Sequence, residues 1–252
     1  EGKVLTNTPI WMDTRAQSIC DRLNQEIGAE KIFDVAGNSL QPSYSTAKIL
    51  WYKENLPEVY AKIDKILQSN SYIAYKLTGV ISQDVSQGYG LHCFDMKKAC
   101  WDEEMCELLG IPMEFLPEIC DCDHVIGSVT AKAAAKCGLS EGTPVVAGGL
   151  DAACGTLGAG VIHPGETQEQ GGQAGGMSIC MDAYKADPRL ILSFHVVPGK
   201  WLLQGGTTGG GGVMRWFERE FADYERIMKE QTGMSSLSQL NEIAAKVSPG
   251  CD

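Results

Sequence analysis

Long apolar runs are missing from this chain, so none of it is suited to cross a bilayer as a helix, and its first residues lack the pattern of a signal peptide. Positive charge is scarce: 21 Lys and Arg stand against 32 Asp and Glu, a formal net charge of −11. That balance argues against a broad polyanion-binding surface while leaving room for a local basic pocket for phosphate. Metal-ligand spacing is lacking as well. Cys120-Asp121-Cys122-Asp123-His124 has the residue types of a zinc site without the paired spacing, and reads as a polar linker. The glycine-rich segment at 205–212 is not followed by Gly-Lys-Ser/Thr, so it is not a Walker A loop. There is no internal repeat. These absences point away from a membrane helix, a nucleic-acid binder, a zinc module and a P-loop enzyme.

What is present is a chain of 252 residues, enough for one large domain or two smaller ones. Ten cysteines are scattered through alternating helix and strand patterns and are expected as reduced thiols in a cytoplasmic protein. The 29 glycines gather after position 138, above all between 148 and 212, and this shift places an expected domain boundary near 145. The first part reads as mostly helical. Ala16, Ile19, Cys20, Leu23 and Ile27 fall at helical spacing, with Gly28 as a stop. Ala47, Leu50 and Trp51 predict a second helix. Pro57 opens a third, carrying Val59, Ile63, Ile66 and Leu67. A strand is expected at 80–84 and a helix at 132–136 closed by Gly138. The second part alternates differently, with strands at 167–171 and 177–181 around a glycine turn and a hairpin at 190–204 turning at Pro198-Gly199. Helices then follow from Val213 and from Ser236.

One stretch stands out. Pro144 introduces a short apolar run, read as a buried strand, which stops at Gly148-Gly149 and leads through Leu150 to Asp151 and a small-residue helix. A carboxylate at that place sits at the carboxyl end of a strand, where open α/β folds bind ligands. Taken alone, Asp151 is equally a helix N-cap, since Asp caps well. His195, inside an apolar strand, reads as a core histidine.

Several segments, in order, resemble the FGGY family of carbohydrate kinases: Trp11-Met12-Asp13-Thr14-Arg15, Ser45-Thr46-Ala47-Lys48, Leu77-Thr78-Gly79, Asp84-Val85-Ser86, Trp101-Asp102, Gly142-Thr143-Pro144-Val145, Gly149-Leu150-Asp151-Ala152-Ala153, and the glycines before Met214-Arg215-Trp216. The resemblance covers essentially the whole chain and about the middle half of a family member. The family's Asp-x-Gly-Thr phosphate loop and its adenine-binding glycine segment have no match here. It implies an α/β protein of the ribonuclease H-like, actin-like ATPase fold, with parts of two domains flanking a cleft. Residues 1–145 would close the sugar-side domain and residues 146–252 would open the nucleotide-side domain.

The resemblance also implies roles. Asp151 would be the general base that takes the acceptor hydroxyl's proton, and Asp13, Arg15 and Asp84 would bind substrate. Gly172, Gln173, Gly211 and Arg215 would hold the phosphates of ATP, with Mg²⁺ riding on the nucleotide and no protein metal site. Gln173 stands where relatives carry threonine, and Ala152 where many carry Asn or Gln. Val85, where glycerol kinases tend to have Tyr, favours a ketose such as xylulose over glycerol. The implied function is ATP-dependent phosphorylation of a sugar hydroxyl, with sugar and ATP as partners and neither nucleic acid nor membrane; a homodimer stays open. The alternatives are a glycerol or other polyol kinase, and a non-catalytic nucleotide-binding or regulatory protein of the same fold. The 252-residue chain by itself is expected to be inactive.

Overall fold

The computed structural model describes residues 2–248 and 250. The chain is mixed α/β. Helix α1 (Gln17–Leu23) buries Ile19, Cys20 and Leu23, then passes through a wide turn at Asn24–Gly28 into α2 (Ala29–Ala36). Gly28, expected as a stop, is only a break at φ +99; the apolar repeat continues beyond it, and Ile32 and Ala36 are buried in turn. Helix α3 (Ser45–Asn55) forms where Ala47, Leu50 and Trp51 predicted it, and α4 (Pro57–Tyr60) starts on Pro57. The third helix was expected to run on to Leu67, but it ends after one turn. The Ile66 N–H is drawn instead to the Phe115 carbonyl at 2.8 Å, and a helix not foreseen, α5 (Ser69–Thr78), follows.

Strands β1 (Ser82–Asp84), β2 (Phe94–Asp95) and β3 (Cys100–Trp101) precede helix α6 (Glu103–Leu109), whose N-terminus is capped by Asp102 Oδ1 accepting the Met105 N–H at 2.8 Å. Next come β4 (Glu118–Cys120), β5 (Val125–Ser128), α7 (Ala131–Cys137), β6 (Pro144–Val146) and α8 (Asp151–Gly158). The chain continues with β7 (Thr167–Gly171), β8 (Gly175–Met181), β9 (Ile191–Phe194) and β10 (Trp201–Thr207). It closes with α9 (Gly211–Phe221), α10 (Asp223–Thr232) and α11 (Ser236–Ala244). β1 pairs in parallel with β4, β5 pairs antiparallel with β6, and four strands form one sheet in the order β7-β8-β10-β9. The strand before Asp151 is not buried as expected. Val146 is 45 % exposed, because β6 belongs to a two-stranded ribbon.

The chain divides into two compact units, residues 1–168 with 178–205, and residues 169–177 with 206–252. Within the first, one core gathers around Ile19, Ile32, Leu50, Met105 and Ile111, and a second around Leu150, Ala153, Val161, Cys180 and Leu202. Buried Asn38 ties β9 to the helical part: its amide donates to the Leu192 carbonyl and accepts the Leu192 N–H, each at 2.9 Å. Phe194 stacks on Trp201 with ring centroids 4.0 Å apart, closing the β9–β10 hairpin on an apolar face. In the second unit α9, α10 and α11 pack on one another, with the Gln239 amide donating to the Glu225 carbonyl at 3.1 Å.

Candidate active site

The turn from β6 to α8 is the centre of the first unit's candidate site. Leu150 is the N-cap residue and Asp151 is the first helical residue. Asp151 is exposed, and its Oδ1 accepts the Ala152 N–H at 2.7 Å, which leaves its second oxygen for a ligand. The two glycines before it serve different ends. Gly148 takes φ +84, a conformation that L side chains adopt only with strain. A Cβ on Gly149 would lie 2.3 Å from Val196 Cγ1 and 3.3 Å from Ser86 Oγ, so that position has no room for a side chain. Three hydrogen bonds hold the backbone here: Ala147 N–H to the His124 carbonyl at 3.0 Å, Gly148 N–H to the Cys122 carbonyl at 3.1 Å, and Leu150 N–H to Ser86 Oγ at 2.8 Å.

Asp84 lies behind that turn. It ends β1 and is fully buried, with Oδ2 accepting from the Asn70 amide at 2.7 Å and Oδ1 from the Ser86 hydroxyl and the Gln87 N–H. Burial pushes its carboxyl above the usual carboxylate range, while Ser86, Asn70 and the Gln87 N–H act against the shift. Tyr89 packs on the Leu150 core; burial, with the Asp151 carboxylate nearby, pushes its hydroxyl up to about 12. A cavity of about 80 Å³ adjoins this region, lined by Val85, Cys122, His195 and Val196 among others. His195 is a satisfied core residue: Nε2 meets the Val161 carbonyl at 2.9 Å, and Nδ1 accepts the Val197 N–H at 3.0 Å.

Asp13 and Arg15 come together as a pair. The Arg15 guanidinium spans both Asp13 oxygens at 2.7–2.9 Å and lies 4.8 Å from the centre of the Trp51 ring. Hydrogen bonding from Arg15 holds the Asp13 carboxyl below its ordinary range. Asp13 does not cap α1, whose N-cap is Ala16. Lys48 donates to the Ile10 carbonyl at 2.8 Å and Tyr52 to the Asn7 carbonyl at 2.7 Å, fastening the leading segment to α3 beside a cavity of about 270 Å³ lined by Arg15, Trp51 and Tyr52.

In the second unit the two glycine segments singled out from the sequence lie against each other. Gly210 donates to the Gln173 carbonyl at 2.8 Å and Gly211 to the Gly172 carbonyl at 2.7 Å. A Cβ on Gly210 would come within 2.7 Å of the Ala174 and Gly175 backbone, and one on Gly211 within 2.7 Å of the Gly172 oxygen. Gly172, Gln173 and Gly211 are thus neighbours, all exposed, with Arg215 exposed on the first turns of α9. The N–H groups of Gly172, Gly210, Gly211 and Gly212 are used within the loop, so the groups left to meet a phosphate chain here are the exposed Gln173 side chain and the Arg215 guanidinium. Among the described residues no cluster of His, Cys, Asp and Glu could hold a metal ion. Sequence reasoning quoted Ser86 without a role and passed over Asn70. The signal available was the Asp-x-Ser spacing directly after a strand.

Residues 1–158 match the FGGY family of carbohydrate kinases, N-terminal domain. The chain belongs to the FGGY family. Of this FGGY chain, 94 % aligns at 30 % identity with a xylulose kinase from Bacillus subtilis (strain 168), covering 48 % of that protein. An autoinducer-2 kinase from Escherichia coli (strain SMS-3-5 / SECEC) is also 30 % identical, over 99 % of the chain and 49 % of that relative. The crystal structure of xylulose kinase from Rhodospirillum rubrum superposes with a TM-score of 0.83 at 29 % identity, over 94 % of this chain and 47 % of that one. The fold is therefore the actin-like ATPase fold of FGGY sugar kinases, as expected, and the chain spans about half the length of the curated relatives it matches.

Proposed function

We propose that the whole FGGY protein phosphorylates a sugar hydroxyl with ATP, and that its acceptor is a pentulose of the xylulose type. The observation that carries this reading is the exposed Asp151 carboxylate at the start of α8, one oxygen held by the Ala152 N–H and the turn beneath it fixed. Asp151 takes the proton of the acceptor hydroxyl as that oxygen attacks phosphorus, a contribution of about 10²–10⁴-fold in rate. Asp13 and Arg15 bind the sugar as a pair, the guanidinium already oriented by the carboxylate and by Trp51. Asp84 contributes to the acceptor site from behind, since its own carboxylate is buried. ATP supplies the phosphoryl group, and Mg²⁺ on its phosphates offsets their charge. Gln173 and Arg215 would hold those phosphates, with Gly172 and Gly211 shaping the loop. Residues 1–145 close the sugar-side domain and residues 146–252 open the nucleotide-side domain in this reading. Cytoplasmic residence belongs to the same proposal.

The similarity to an autoinducer-2 kinase over 99 % of the chain favours a second acceptor class, so the test must include it. ADP release by the full-length gene product is followed over pentuloses, pentitols, glycerol and autoinducer-2, with Asp151→Asn as control. Turnover on a pentulose, lost by about 10²–10⁴-fold in Asp151→Asn, supports the proposal. ATP binding without acceptor-stimulated ADP release would support a regulatory protein instead.

A further inference from the structure

The Asp84 carboxylate is buried, and among the described residues no cation meets it. Among the described residues its partners are the Asn70 amide, the Ser86 hydroxyl, the Gln87 N–H and, at 3.7 Å, the Cys122 thiol. Withdrawing a carboxylate from water is costly unless its oxygens are met by donors, and here both are. The arrangement is ordered outward. The Gln87 amide donates to Asn70 Oδ1 at 3.0 Å and fixes which way the Asn70 amide faces. Asn70 holds one carboxylate oxygen and Ser86 donates to the other. With its proton committed to Asp84, the Ser86 oxygen presents its lone pairs to the Leu150 N–H, 2.8 Å away.

That N–H belongs to the residue directly before Asp151. Ser86 Oγ is also 3.3 Å from where a Gly149 side chain would begin, so it touches the turn at two successive residues. We propose that Ser86 and Asp84 are positioning residues for Asp151: the buried carboxylate orients the Ser86 hydroxyl, and that hydroxyl sets the place of the Leu150 amide and hence the aim of the Asp151 carboxylate. This rests on Asp151 being the base. It gives Asp84 a task that a buried side chain can perform without touching a sugar. A base must stand within hydrogen-bond reach of the proton it takes, and small displacements of a turn are felt strongly in rate.

The test is a double-mutant cycle in the full-length gene product. Ser86→Ala alone should lower kcat by roughly 10–100-fold while the KM values for acceptor and ATP stay within about twofold. In an Asp151→Asn background the same change should leave the residual rate within about twofold, because nothing remains to aim. An equal loss in both backgrounds, a loss confined to acceptor KM, or no loss at all overturns the proposal. Turnover retained by Asp151→Asn overturns the base assignment itself, and the proposal with it. Should Ser86→Ala fail to fold, Ser86→Cys keeps a weaker donor and acceptor in place and should show the same pattern with a fall of roughly 3–10-fold.

Discussion

Replacing Gly149 by Ala adds one methyl group at a tightly packed point of the first unit's candidate site. That carbon would lie 2.3 Å from Val196 Cγ1, well inside contact distance, with Ser86 Oγ at 3.3 Å and Cys154 Sγ at 3.4 Å. Val196 cannot swing aside cheaply, since its β-branched side chain is stiff at χ1 and packs against the Leu150 core. Overpacking of this kind costs about 1–3 kcal/mol. For a chain of this size that is a fall in melting temperature of roughly 2–12 °C. The neighbouring Gly148→Ala meets no such wall, its nearest atom being Asn70 Nδ2 at 3.7 Å, but it places an L residue at φ +84, worth about 1–2 kcal/mol of backbone strain.

The two costs have different remedies. Val196→Ala removes the obstructing methyl, so in combination with Gly149→Ala it should recover about 0.5–3 kcal/mol relative to the sum of the single changes. With Gly148→Ala it should recover nothing. Tryptophan fluorescence on heating reads the comparison, because Trp11, Trp51, Trp101 and Trp201 all lie in the first unit. Additive behaviour of Gly149→Ala with Val196→Ala, or equal rescue of both glycine variants, would refute the packing argument.

Stability should also fall as pH drops from about 6.5 towards 4. His92 is fully buried between Thr46 Oγ1 and the Ser39 carbonyl, and burial lowers its imidazole to about 4. Its contribution is complete above the unfolded value near 6.5 and is lost below it, by roughly 1.4 kcal/mol per pH unit, as the unfolded chain takes up a proton that the folded chain refuses. Burial shifts His195 in the same direction. Urea midpoints at several pH values should show a shallower slope for His92→Gln than for the parent chain; equal slopes would sink the assignment. In the second unit, Gly210→Ala drives a carbon to within 2.7 Å of the Ala174–Gly175 backbone. Calorimetric titration of the full-length gene product with ADP should show affinity weakened by about tenfold or more, and unchanged affinity would remove this loop from the nucleotide site.

Elements whose cause lies within a few residues were legible in the sequence. Pro57 starts α4, Gly138 closes α7 in the left-handed conformation, and Pro198-Gly199 turns the β9–β10 hairpin. The errors came where a distant partner decided the outcome. Nothing near Ile66 announces that its N–H will leave the helix for Phe115, and nothing near Pro144 says that its strand will have a single neighbour. Gly28 misled for a related reason. A glycine is a good helix stop, but the burial of Ile32 and Ala36 beyond it outweighs one break.

The candidate site divides along the same line. Asp151 after two glycines, and the two glycine segments that meet in the second unit, were marked by residue types whose effect is on their own backbone. The bond from Ser86 to the Leu150 N–H joins residues 64 apart in sequence, and the crowding of Gly149 comes from Val196 in another strand connection. Serine is too common in turns for either fact to show in one sequence. Gly149 itself was visible, but its reason was not: in the folded chain the space where its side chain would stand is taken by Val196. The glycine brings the turn hard against Val196 and Ser86, so the backbone two residues before Asp151 is set by contact with its own protein.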